Sequence, residues 1–135
     1  MDKEVKVRIE KDKYTTTVDY GKHVLIADEP TELGGADRGM NPQTLLLSAL
    51  GSCKVITMRM YADQKDWDMQ SATVRLSSET IKSDLQQTTY IKCHIEIIGD
   101  LTEQQRERIY RIAERCPIHK TLSNPIVIDS NLLSN

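Results

Sequence analysis

From Leu45 to Met58 nearly every position is apolar or small, and Lys54 is the only charge in the run. Just before it, Asn41 is a good helix N-cap, and Pro42 suits the first helical position, where its missing N–H costs nothing. The pattern predicts a helix over Asn41 to Lys65, roughly 36 Å long at ~1.5 Å per residue. A helix apolar nearly all round is a buried helix. Beyond Arg59 it is too polar for a membrane span. Helical spacing puts Cys53 on a stripe with Leu46, Ala49, Leu50, Thr57 and Met60. Gly51 interrupts the run. A glycine inside a helix costs about 1 kcal/mol relative to alanine, which predicts a packing reason such as close approach of another backbone.

The flanking segments alternate. Val5, Val7 and Ile9 are interleaved with Lys6, Arg8 and Glu10, a strand with one wet face. Tyr14 to Tyr20 and His23 to Ala27 read as two more strands around a Gly21-Lys22 turn. The loop from Asp28 to Met40 holds Gly34, Gly35 and Gly39 together with Glu29, Glu32, Asp37 and Arg38, and it is either a functional loop or a plain connector. After the long helix, strands are predicted from about Met69 to Thr80 and from Thr89 to Ile98, around a polar turn at Lys82 to Gln86. In the second, Ile91, Cys93, Ile95 and Ile97 face one way, and Lys92, His94 and Glu96 the other. Thr102 and Gln105 form a capping box for a helix with the apolar stripe Ile109, Ile112, Ala113 and Cys116. Pro117 ends or redirects it and opens a further helical turn through Leu122; a last strand is expected at Ile126 to Asp129. The order β-β-β-α-β-β-α-β predicts one α+β domain over residues 1–135, mostly antiparallel sheet wrapped on a long buried central helix. Such a helix needs more cover than a small sheet and one short helix provide. That predicts a homodimer with an interface above about 2,000 Å².

Length and charge narrow the function classes. The chain has 135 residues, 39% of them hydrophobic, with no Phe and a net charge of −2. It carries no electrostatic footprint for nucleic acid. Neither a signal peptide nor a spanning run is present, so no membrane association is expected and a cytoplasmic location is the default. Three cysteines in such a chain argue for buried thiols, metal ligands or redox chemistry rather than a disulfide scaffold. Cys53 and Cys116 each lie on the apolar stripe of a helix, and two packed helices would let them meet. The plain alternative is a pair of inert buried thiols. Three features favour reactivity. Cys116 precedes Pro117 at the start of a short helix, whose positive end stabilises a thiolate. His119 and Lys120 follow closely, and Gly51 and Ser52 leave room beside Cys53. A metal would have to use Cys53, Cys116 and His119 without any C-x-x-C or H-x-x-x-H pair, so no metal is expected. Cys93 reads as core and His94 as surface; His23 opens a strand without an evident partner. No G-x-S-x-G is present, and Ser48 and Ser52 lie within the buried helix, so a serine hydrolase is set aside.

The run N-P-Q-T-L-L-L-S-A-L-G-S-C-K-V-I-T-M-R-M-Y-A, followed by D-W-D-M, resembles the central-helix signature of the OsmC/Ohr family, and E-R-C-P-I-H-K-T-L-S resembles its second-cysteine motif. The resemblance covers essentially the whole chain and is nearest the OsmC-like branch. It implies an intertwined homodimer and thiol-dependent reduction of peroxides, preferably organic hydroperoxides, with no cofactor. In that reading Cys53 is the peroxidatic thiolate and becomes a sulfenic acid, Cys116 is the resolving thiol, and a small dithiol or lipoyl group is the reductant. The family also uses an arginine and a glutamate beside the first thiol. Arg38 is the candidate arginine. The glutamate belongs in the first turn of the central helix, where this chain has Gln43-Thr44; Glu29 and Glu32 are the loop carboxylates that could replace it. That departure sustains an alternative: a catalytically weak or inactive member that binds a small apolar ligand at the dimer interface.

Overall fold

The computed structural model describes residues 4–134, which fall into two compact units divided after Ser48. In the N-terminal unit, β1 (Lys6–Ile9), β2 (Thr16–Tyr20) and β3 (His23–Ala27) form an antiparallel meander in the order β1-β2-β3. Val7 pairs with Val18, and Val18 with Leu25. Gly21, at φ 58, makes the tight turn between β2 and β3. This sheet is poorly covered within the unit. Val5, Val7 and Ile9 are all more than half exposed, as is Val24.

The loop after β3 is built on Asp28. Its buried carboxylate accepts the N–H groups of Tyr14, Glu29 and Arg38 at 3.1, 2.7 and 3.1 Å and the Thr15 hydroxyl at 3.1 Å. Burial alone would raise this carboxyl, but the four donors outweigh it and lower its pKa to about 2. Asp28 N–H also donates to Met40 O at 3.2 Å, tying the two ends of the loop together. Gly39 is required there, because a Cβ would lie 2.0 Å from Ile26 O. A short 3-10 turn at Thr31–Leu33 lies within the segment expected as a loop.

Helix α1 (Pro42–Gln64) begins in this unit and continues into the next. It starts as expected: Asn41 Oδ1 accepts Thr44 N–H at 2.9 Å, and Pro42 is the first helical residue. In the C-terminal unit, β4 (Asp68–Lys82) and β5 (Gln87–Asp100) make a long antiparallel hairpin, longer at both ends than the alternation suggested. Helices α2 (Glu103–Ala113) and α3 (Pro117–Leu122) follow. The Thr102 capping box is present, with Thr102 Oγ1 accepting Gln105 N–H and Gln105 Oε1 accepting Thr102 N–H. Arg106 donates to the Ile97 and Gly99 carbonyls and so ties α2 to β5.

The core of this unit is Met58 and Ala62 of α1, Met69 of β4, and Ile109 and Ala113 of α2, with Val74, Ile95 and Ile97 packed against it. Burial along α1 is confined to Leu50, Lys54, Met58 and Ala62. That stripe shares Leu50 with the one expected around Cys53 and then diverges from it: Leu46 is 41% exposed and Met60 67%. The stripe is displaced because a charged residue, Lys54, has internal partners and takes a core position. Gly51 does have a packing reason, but it is a side chain rather than a backbone: a Cβ would meet Leu76 Cδ1 at 2.8 Å. The strand expected at Ile126 to Asp129 does not form. The segment is irregular, and Val127 is 86% exposed. Extended chain becomes a strand only beside a partner that takes its N–H and C=O groups, and among the described residues this segment has no ladder.

Candidate active site

Cys53 is half-buried near the middle of α1, whereas Cys116 is fully buried at the α2–α3 junction. Pro117 sets the geometry there. It cannot continue α2, but it is well suited to the first position of α3, which makes Cys116 the N-cap, extended at φ −64 and ψ 146. Cys116 Sγ accepts the His119 N–H at 3.4 Å, and Cys53 Sγ accepts the Ile118 N–H at 3.5 Å. The first turn of α3 thus donates to both sulfurs and brings the two cysteines to one place. Backbone donors favour the thiolate. Burial nevertheless pushes the Cys116 thiol up. The His119 N–H and Lys54 oppose that, and the neighbouring Cys53 adds to it.

Lys54 is the site residue that sequence reasoning passed over. It is 1% exposed, and its ammonium meets three acceptors: Ala113 O at 3.1 Å, Glu114 Oε2 at 3.1 Å and His119 Nδ1 at 3.0 Å. Three N–H donors match three acceptors, so the buried charge is both paired and fully hydrogen-bonded. Burial would raise the Glu114 carboxyl, but Lys54 and the Tyr110 hydroxyl outweigh it and hold the carboxyl below its ordinary value. Glu114 in turn raises the Tyr110 phenol. A lone charge in an otherwise apolar helix was the available signal, because such a residue is buried only when partners await it.

Cys93 is not simple core. It stands opposite Leu76 on the inward face of the hairpin and lines a cavity of about 330 Å³ with Lys54, Glu114 and His119. Burial pushes its thiol up, with Lys54 opposing and Glu114 adding. His94 is exposed on the other face. Among the described residues no group of three or more His, Cys, Asp or Glu side chains is arranged to hold a metal ion.

The other candidates belong to the N-terminal unit. Arg38 is exposed and fixed through its backbone to Asp28. Glu29 and Glu32 sit on the same loop; Glu32 accepts the Thr31 hydroxyl at 3.1 Å. Gln43 is in the first turn of α1, which has no acidic residue. This unit also contains an apolar groove of about 590 Å³ lined by Val7, Tyr14, Val18, Leu33, Pro42 and Leu45.

Antiparallel sheets, one long helix and two cysteines gathered at the first turn of a short helix define the class: an α+β protein with a two-cysteine centre. The family model described as OsmC-like protein matches residues 34–131, and the chain belongs to that family. Among solved structures, an OsmC-like protein from Mycoplasma pneumoniae superposes with a TM-score of 0.75 at 23% identity, over 91% of this chain and 88% of that one. An organic hydroperoxide resistance protein OsmC from Legionella pneumophila gives 0.66 at 19% identity, over 88% of each chain. An organic hydroperoxide resistance protein from Elizabethkingia anophelis gives 0.63 at 17%, over 87% and 86%. These likenesses establish the fold. Among curated proteins none matches the chain. Among the described residues no helix is long and apolar enough to cross a membrane.

Proposed function

We propose that this protein is a thiol-dependent hydroperoxide reductase acting through Cys53 and Cys116 as a cytoplasmic homodimer. The observation that carries the reading is the asymmetry of the two sulfurs. Both receive N–H donors from one turn of α3, yet Cys53 is only half-buried whereas Cys116 is sealed, with its thiol pushed up by burial. An accessible nucleophile beside a protected thiol suits a peroxidatic and a resolving cysteine. The Cys53 thiolate attacks the terminal oxygen of a hydroperoxide; an S–O bond forms, the O–O bond breaks, and the alkoxide takes a proton to leave as an alcohol. The Cys116 thiol then attacks the sulfenic acid. The S–S bond forms, and hydroxide leaves with the Cys116 proton as water. A small dithiol or lipoyl group reduces the disulfide and returns both thiols. Arg38 is proposed, from the family resemblance, as the arginine that serves the peroxide. Arg38→Ala should lower kcat/KM for an alkyl hydroperoxide, and an unchanged value removes Arg38 from the site. The whole reading is tested by peroxide consumption with hydrogen peroxide, an alkyl hydroperoxide and a lipid hydroperoxide, each with a dithiol. Turnover fastest with the organic peroxides supports it; turnover that survives Cys53→Ser contradicts it.

The apolar groove of the N-terminal unit favours a second reading, a member that binds a small apolar ligand and turns over little peroxide. A ligand-induced rise in melting temperature in a protein without peroxidase turnover would select it.

A further inference from the structure

We propose that Lys54 is a positioning residue for the two-cysteine centre, clamping the α2–α3 segment to α1 on both sides of Cys116. The proposal rests on the two-cysteine reading and adds the device that holds the pair together. Lys54 follows Cys53 directly on α1. Two of its acceptors, Ala113 O and Glu114 Oε2, precede Cys116; the third, His119 Nδ1, follows it. One side chain therefore brackets the resolving cysteine and fastens that bracket one residue from the peroxidatic one. Held geometry converts an encounter between two groups into an intramolecular step with a high effective concentration. The ammonium itself is buried, and its three donors are all satisfied, which stiffens the network.

The same groups argue against a purely electrostatic role. Around the Lys54 ammonium stand Glu114 beyond the end of α2, His119 from α3 and Cys93 from β5, with Tyr110 of α2 behind Glu114. The Glu114 carboxylate lies 3.1 Å from Nζ and opposes the cation's field. The three hydrogen bonds to Ala113 O, Glu114 Oε2 and His119 Nδ1 supply the mechanical tie.

The test is the equilibrium between the Cys53–Cys116 disulfide and a dithiol buffer, with no peroxide present. Two protein thiols and oxidised dithiothreitol exchange two electrons and two protons to give the protein disulfide and reduced dithiothreitol. The full chain is equilibrated across buffer ratios, and the disulfide is quantified after acid quench and alkylation. Lys54→Met should lower the equilibrium constant about tenfold, the size expected from losing charge-assisted hydrogen bonds. Glu114→Ala should lower it less, and Glu114→Gln, which keeps an acceptor, should return it toward wild type. A role in stability alone would lower the melting temperature of the reduced protein without this ordering of equilibrium constants. If Lys54→Met does not fold, Glu114→Ala decides, because its carboxylate is 44% exposed and can be removed without opening the core. The clamp is overturned if the folded variants match wild type while wild type forms the disulfide. Wild type forming no disulfide at any ratio overturns the two-cysteine reading itself.

Discussion

Asp28 and Glu114 are two carboxylates held below their ordinary values, one at the root of the loop and one on the Lys54 ammonium. A carboxyl depressed by folding contributes stability that is complete above its unfolded value, about 4 for Asp and Glu. That stability is lost as pH falls through the folded value, which is about 2 for Asp28. The melting temperature should therefore fall between about pH 4 and pH 2, and Asp28→Asn should flatten that fall while lowering stability at neutral pH. Equal slopes for variant and wild type would mean the donors around Asp28 do not hold its charge. Two glycines make a second residue-scale contrast. At Gly39 an added Cβ meets backbone, Ile26 O at 2.0 Å, and Gly39→Ala should destabilise by more than about 2 kcal/mol. At Gly51 it meets the tip of Leu76, which can shift. The helix propensity gained there, about 1 kcal/mol, offsets the crowding, so Gly51→Ala should change stability by less than about 1 kcal/mol. Urea unfolding of both variants checks the pair, and similar losses would contradict it.

The elements that build the site are the middle of α1 and the first turn of α3. Because Cys116 caps α3 and its neighbours donate to both sulfurs, the two cysteines should have separable roles. Cys53→Ser should abolish peroxide consumption. Cys116→Ser should allow one turnover and leave a sulfenic acid on Cys53, trapped with dimedone. Cys93→Ser should keep activity and lose only packing stability; an inactive Cys93 variant would reassign the pair. Pro117, the capping box and the alternation along the hairpin made these elements legible in the chain, because caps and period-two patterns are local signals. Lys54 was legible only as an anomaly. Its three partners come from Ala113, Glu114 and His119, and no local rule links residues so distant in sequence. The same limit explains the displaced stripe on α1, since periodicity does not reveal which face a buried lysine will choose. It also explains the final segment, whose β-prone residues carry no information about where a pairing strand would come from.

At the scale of the whole molecule, one chain leaves much apolar surface uncovered. Val5, Val7 and Ile9 are exposed beside and along β1, Ile56 and Met60 on α1, and Ile126, Val127 and Ile128 in the irregular tail. A second copy of the chain is the proposed cover. Light scattering should give a dimer at micromolar concentration, and removing residues 125–135 should raise the monomer fraction. A stable, folded full-length monomer would contradict the assembly. The proposed chemistry requires Cys53 and Cys116 to meet. It is tested most directly by treating the reduced protein with one equivalent of an alkyl hydroperoxide, blocking free thiols and mapping the peptides by mass spectrometry. The expected product is the Cys53 peptide joined to the Cys116 peptide, with Cys93 recovered as a blocked free thiol. Oxidation centred on Cys93, or Cys53 and Cys116 both recovered as blocked free thiols, would contradict it.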